Sequence, residues 1–318
     1  MRQLPDNLTP RRYFVKHRTS YEYSEPVTLC HERGFLTPRA TDSQTVVVHG
    51  SRILPEPLLH TEHTDRFGNT SHYVEIHYPH TMLEVVKEAV IDVEWPEYNV
   101  DQLDEWTLAS ARRAIAGNPA FRLDRAMYVL PSKHVAIPDE LSAYIDSLLA
   151  PSLGFGQALV ELTKGIRRDF AYRPGVTSIR TTVAELLELR AGVCQDFAHL
   201  GIAILRSLGI PARYVSGYIE TTPPPGKPRL EGSDASHAWI SVLAPSGQWI
   251  DIDPTNSQFA DSRYLVTAWG RDFADVSPLR GVVVTEAASS RLSVGVDVVA
   301  MDGDQVPQLS VLKLNLSS

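Results

Sequence analysis

Two cysteines occur in the 318-residue chain, and one of them sits where a thiol can do chemistry. Thr182 followed three positions later by Glu185 makes a capping box, which predicts a helix through Leu186, Leu187 and Leu189. Gly192 suits the left-handed position that would end it. A second helical apolar pattern starts at once with Phe197, Leu200, Ile204 and Leu208, and closes at Gly209-Ile210-Pro211. Cys194 therefore falls in the first turn of a helix. The thiolate is the nucleophile, and an ordinary thiol with a pKa of about 8.5 is only a few per cent ionised at neutral pH. Unpaired N–H groups and the helix dipole favour an anion at that position. A neighbouring imidazolium can lower a thiol pKa to roughly 3.5–7.5. The same N–H groups can hold an oxyanion. The plainer alternative is a buried cysteine at a tight turn, since free cysteine is among the most buried residue types. Cys30, in a polar β-loop context, has no such placement and reads as structural.

A base and an orienting acid follow on the next elements. Strands are expected over residues 212–219 and 235–243, the second placing His237, Trp239 and Ser241 on one face. Ala244-Pro245-Ser246-Gly247 makes a turn, and residues 248–253 return as a strand. This hairpin brings Asp253 within a few residues of lying opposite His237. Asp253 can thus orient the ring, and His237 can take the thiol proton and later protonate a leaving amine. Register is not fixed to one residue by sequence, so Asp251, on the same face, is the backup acid. His199 lies five residues past Cys194 and is turned about 140° away on the helix, so it reads as structural. Each residue alone has an ordinary structural explanation; the three together have a weaker one.

The elements that must position them divide the chain into two unlike halves. Residues 11–97 carry short β-type segments, including Thr45-Val46-Val47-Val48 and a hairpin of 58–66 with 70–78 about Phe67-Gly68-Asn69. From about residue 100 the period becomes helical, with Leu108, Ala111, Ile115, then Leu141, Ile145, Leu148, then Phe155 through Arg168. The expected fold class is α+β: an N-terminal antiparallel β domain over 1–98, a catalytic domain over 99–285 and a β-rich tail over 286–318. The composition, 43% hydrophobic and 21% charged, is that of a globular protein. A net charge of −8 without a Lys/Arg run gives no reason to expect nucleic acid or an anionic membrane surface. No apolar stretch approaches the roughly 20 residues that span a bilayer. With two cysteines and no apolar leader at the N-terminus, a reduced cytoplasmic protein is expected.

The segments Ala191-Gly192-Val193-Cys194-Gln195-Asp196-Phe197-Ala198-His199-Leu200 and Leu208-Gly209-Ile210-Pro211-Ala212-Arg213-Tyr214-Val215-Ser216-Gly217-Tyr218 resemble the core of the bacterial transglutaminase-like family. Ser236-His237-Ala238-Trp239 and Trp249-Ile250-Asp251-Ile252-Asp253-Pro254-Thr255-Asn256 resemble its other two motifs. The order Cys, His, Asp also fits, as do residues 11–95 as the family's N-terminal region and 270–281 as its C-terminal extension. The resemblance covers most of the chain except about 98–150 and the last 35 residues. It implies a papain-like core with Cys194 as nucleophile, His237 as base and Asp253 as orienting residue. It implies acyl chemistry more firmly than a substrate, because the family holds cross-linking enzymes, peptidases, amidases and inactive members.

The expected activity is a cysteine-dependent amide hydrolase acting on a peptide or protein amide, without cofactor or metal; no EF-hand-like loop suggests calcium. The alternatives are a transglutaminase and an inactive peptide-binding module. A polar, proline-rich loop over 221–234 argues for an open, wet site and so for hydrolysis, although Trp239 and Trp249 could wall an acceptor tunnel. Tyr172 and Trp239 are the candidate substrate-binding residues, each with packing as its ordinary role. Eight of the eleven histidines precede residue 100. In the predicted hairpin His60 can oppose His77 with Glu62 and Glu75 on the same face. Such a set could bind a transition metal, but its spacing matches no strong metal motif, and polar residues alternating on a solvent face account for it.

Overall fold

A computed structural model describes residues 6–221, 236–301, 303 and 306–311. It begins with five antiparallel strands, β1 (Arg11–Gly34), β2 (Gln44–Leu54), β3 (Leu59–Thr64), β4 (Thr70–Ile76) and β5 (His80–Val93). Helices α1 (Val100–Leu103), α2 (Leu108–Gly117), α3 (Arg122–Tyr128), α4 (Leu141–Leu148) and α5 (Phe155–Asp169) follow. Next come β6 (Ala171–Tyr172), α6 (Val183–Leu189), β7 (Ala191–Gly192) and α7 (Cys194–Ser207). The chain continues through β8 (Ala212–Ile219), β9 (Ser236–Leu243), β10 (Trp249–Asp253), β11 (Gln258–Phe259), β12 (Tyr264–Gly270) and α8 (Phe273–Val276). It ends in β13 (Leu279–Thr285) and β14 (Ser290–Met301).

The first sheet has the order β2-β5-β1-β4-β3, with β13 and β14 also on β1. Strand β1 changes neighbours halfway. Its first half lies between β5 and β14, and its second half between β4 and β13. Strand β5 is buried on both faces from Leu83 to Ile91. Ala89, Ile91 and Val93 face the second sheet, while Val86 and Val90 are covered by Leu309 and Val311. Two covered faces explain why this strand is apolar in runs instead of alternating. The last strands therefore differ from the expected division. β13, placed by sequence in the catalytic domain, and β14, placed in the tail, both complete the N-terminal sheet. Their short apolar runs say that they are strands, and only tertiary pairing says with what.

The second sheet, β11-β10-β9-β8-β12, is antiparallel and packs between two layers. Ala238, Ile240 and Val242 of β9 face α7 and the other helices. Trp239 faces the first sheet, where it joins Tyr13, Val15, Trp95, Val296 and Val298. Helix α7 is buried along Asp196–Arg206, which explains its nearly continuous apolar sequence. A Cβ at Gly201 would come within 2.4 Å of Ile240 Cδ1, so glycine there lets helix and sheet approach closely. Arg206 closes the far end of α7. Its guanidinium donates to Ala212 O, Leu130 O and Arg271 O, tying the helix to the segment after β12.

The capping box forms as expected, with Glu185 N–H on Thr182 Oγ1 at 3.2 Å and Thr182 N–H on Glu185 Oε2 at 2.7 Å. The left-handed residue that ends α6 is Arg190, with φ 51°, and not Gly192. Gly192 is required by space. A Cβ there would lie 2.7 Å from Asp196 Oδ2 and 2.9 Å from Leu186 Cδ1.

Candidate active site

Cys194 is the first residue of α7 and is partly exposed. The first carbonyl-paired N–H of the helix is that of Phe197, on Val193 O at 3.1 Å, so the N–H groups of Cys194, Gln195 and Asp196 precede the helical ladder. Asp196 fixes this turn: its Oδ2 accepts from Val193 N–H at 2.8 Å and from the Thr177 hydroxyl at 2.7 Å. Valine offers no side-chain acceptor, so only this half of a capping box exists. The parallel pair β6–β7 sets Tyr172 opposite Gly192, two residues before the thiol. The Tyr172 ring packs edge-on against Phe197 at 6.2 Å and stays 47% exposed.

His237 is the second residue of β9, and its Nε2 lies 2.8 Å from Asp253 Oδ2. That leaves Nδ1 as the ring nitrogen for the thiol. Burial opposes charge on the ring, but the hydrogen bonds and charges of Asp253 and Cys194 outweigh it, and the pKa rises to about 10. Asp253 is fully buried and accepts five hydrogen bonds. Besides His237, its Oδ2 accepts from Tyr264 Oη at 2.7 Å and Asn256 Nδ2 at 2.7 Å. Its Oδ1 accepts from the N–H groups of Thr255 at 2.7 Å and Asn256 at 3.2 Å. Burial pushes the Asp253 carboxyl up, yet these donors, His237 first, hold it below the ordinary range.

The observed register pairs Asp251 with Ser241 and Ile252 with Ile240. Asp251 therefore accepts from Trp239 Nε1 at 2.8 Å and Ser241 Oγ at 2.5 Å, and Asp253 is left for His237. Trp239 departs from its expected role at the substrate. It is fully buried, stacked 6.2 Å from the His237 ring on the side of the first sheet. His199 points elsewhere, its Nε2 accepting from Phe273 N–H at 3.2 Å and its ring stacked on His134. Cys30 lies in the interior of β1, not in a loop, and is fully buried.

A cavity of about 500 Å³ opens on the thiol, lined among others by Arg167, Tyr172, Cys194, Ile219, His237 and Asn256. Most of the expected loop over 221–234 lies outside the described residues. Sequence reasoning missed Arg167, Asn256 and Tyr264 at this site. Asn256, three residues past Asp253, could have been found as an Asx-type partner of that carboxylate. Tyr264 gives no local signal, because it reaches Asp253 from another strand. The histidine hairpin also differs from expectation. β3 and β4 pair so that His60 lies opposite Val74, and Glu62 opposite His72. His60 and Glu62 gather with His72, while Glu75 and His77 gather with His31.

The chain matches the bacterial transglutaminase-like N-terminal region over residues 13–92 and the transglutaminase-like superfamily over 141–254. An uncharacterized protein of Mycobacterium tuberculosis is 42% identical over 301 residues, covering 92% of this chain and 94% of that one. An uncharacterized protein of Mycobacterium leprae is 32% identical over 85% of this chain and 92% of that one. A solved structure from Cytophaga hutchinsonii, described as a candidate cysteine protease, superposes with a TM-score of 0.73 at 21% identity, covering 94% of this chain and 93% of that one. Taken with the order of both family matches and the near full-length relatives, these findings show that the chain belongs to the bacterial transglutaminase-like family.

Proposed function

We propose that the protein is a cysteine-dependent amide hydrolase with Cys194, His237 and Asp253 as its catalytic groups. The observation that carries this reading is the buried His237–Asp253 pair, held at 2.8 Å beside a helix-start thiol on one cavity. Cys194 Sγ, deprotonated by His237, attacks the carbonyl of a peptide or protein amide. The N–H groups at the start of α7 face the developing oxyanion. His237 then gives its proton to the leaving amine, and a thioester remains on Cys194. Water, deprotonated by His237, releases the acid. Asp253 holds the ring orientation and steadies the imidazolium throughout. Tyr172, exposed on the rim, contacts the acyl chain. The chemistry draws on these groups alone and calls for no cofactor. Both cysteines are free, which suits a reduced cytoplasmic setting, and no described helix is long and apolar enough to cross a membrane.

Transfer to an amine is the competing reading. Water is present at about 55 M, so a transferase must exclude it and hold the amine. The two tryptophans that could wall such a tunnel are engaged elsewhere: Trp239 is buried behind His237, and Trp249 packs on Arg213 and Tyr128. This supports hydrolysis. The test is intact-mass and product analysis with peptide amides and a glutaminyl peptide, with and without millimolar primary amine. Mostly free acid is the expected product. Dominant amine adducts would make the protein a transglutaminase, and the lack of any acyl-enzyme or product would make it a binding module.

A further inference from the structure

The β3–β4 hairpin carries a convergent set of donors that the acyl chemistry does not use. His60 Nε2 lies 3.0 Å from His72 Nδ1, and Glu62 Oε1 lies 3.4 Å from the same nitrogen. A tetrahedral ion with bonds of about 2.0–2.1 Å sets its ligand atoms about 3.3 Å apart. The observed separations bracket that value, and all three ligand atoms fall within 4.8 Å of one another. The key donor is already oriented. His72 is 7% exposed, and its Nε2 lies 2.6 Å from Thr37 Oγ1. With Nε2–H given to that hydroxyl, Nδ1 presents its lone pair to His60 and Glu62, as a second-shell partner does for a metal-bound histidine.

We infer that His60, Glu62 and His72 form a binding site for a divalent transition-metal ion of the zinc class, with a fourth position left to water. Imidazole and carboxylate donors suit such ions. The site would fasten an otherwise weak element. Every residue of β3 is exposed, so that edge strand is held to β4 by its backbone ladder and not by core packing. Lys87 opposes the ion. Its ammonium is buried nearby, donating to His49 Nδ1 at 2.9 Å and Ser51 Oγ at 3.2 Å. The second histidine cluster provides a contrast. There a tyrosine stands between histidine and carboxylate: His31 Nδ1 is 2.9 Å from the Tyr73 hydroxyl, which itself donates to Glu75 Oε1 at 2.5 Å.

The experiment is calorimetric titration of the full chain with zinc, and cobalt(II) absorbance in parallel. It is run in a Cys194→Ala background, so that the active-site thiol does not compete, after stripping with a chelator. One saturable equivalent of micromolar or tighter affinity is expected. His60→Ala and Glu62→Gln change exposed residues that the fold does not need, and each should weaken binding at least tenfold. Thr37→Val, which frees the His72 ring, should weaken it roughly 10–100-fold. Lys87→Met should tighten it, and His31→Ala should leave it unchanged. Absence of saturable binding in the parent, or binding that His60→Ala leaves intact, would overturn the inference.

Discussion

Cys30 and Cys194 are the same side chain in two regions built to opposite ends. Around Cys30 the first sheet is closed: the thiol is buried among Val27, Ile76 and Leu83, and it donates to Glu32 Oε1 at 3.7 Å. Burial first, then the Glu32 carboxylate, pushes its pKa up to about 12. Around Cys194 the second region supplies a helix start, a cavity and a histidine whose charge is held by a buried carboxylate. What separates the two thiols is therefore their neighbours. Burial first and a carboxylate two residues away suppress the Cys30 thiolate, whereas Cys194 has an imidazole and helix-start N–H groups for neighbours.

The largest test of that contrast is deletion of each thiol. Cys194→Ala should abolish turnover while preserving the fold, and Cys30→Ala should keep activity, both read from product release and circular dichroism. Undiminished turnover without Cys194 would break the comparison outright. Next in size is the carboxylate behind the histidine. Asp253→Asn should lower kcat by orders of magnitude with little change in KM, the pattern of a transition-state interaction. Asp251→Asn, which disturbs Trp239 and Ser241 instead, should mainly lower stability by about 1–3 kcal/mol. A larger kinetic effect at Asp251 would transfer the orienting role to it. Third, iodoacetamide on the native protein should modify Cys194 and leave Cys30 untouched, as peptide mapping would read. Equal labelling would show that the two environments differ less than their neighbours imply.

The smallest effect sharpens the electrostatics. The His237 pKa is raised from 6.5 to about 10, so its pair contributes stability in full below about pH 6.5 and loses it as pH rises towards 10. The Asp253 pKa is depressed below 3.8, so its contribution is present above that value and fades as pH falls further. Thermal unfolding of the parent and of Asp253→Asn should therefore differ most between about pH 4 and 6.5, and the gap should narrow as pH rises towards 10. A gap that does not narrow on the alkaline side would deny the ion pair.

Behind the pair, the two regions are mechanically joined. Trp95, just past β5, donates its Nε1 to Tyr264 O at 3.0 Å, and Tyr264 Oη donates to Asp253. The first sheet thus buttresses the carboxylate that holds His237. Strand β14 adds Val296 and Val298 to the same layer, so the last strand of the chain helps set the site.

Local chemistry made much of this legible from the residues alone. The Thr182–Glu185 box, the apolar period after Cys194 and the limits of 212–219 are local matters, set by caps, spacing and turn residues, and they appear at those positions. What sequence left open was register and partnership. A shift of one residue would exchange Asp253 for its neighbours opposite β9, and a hairpin's turn does not fix it to that accuracy. Only the paired strands divide the work, with Asp251 on Trp239 and Ser241 and Asp253 on His237. The same reason moved His60 from His77 to His72, buried Trp239 away from substrate and returned β13 and β14 to the first sheet. Such contacts join residues up to hundreds of positions apart. Caps, spacing and turn residues set which elements form and which side chains they carry; long-range packing decided which of those side chains meet.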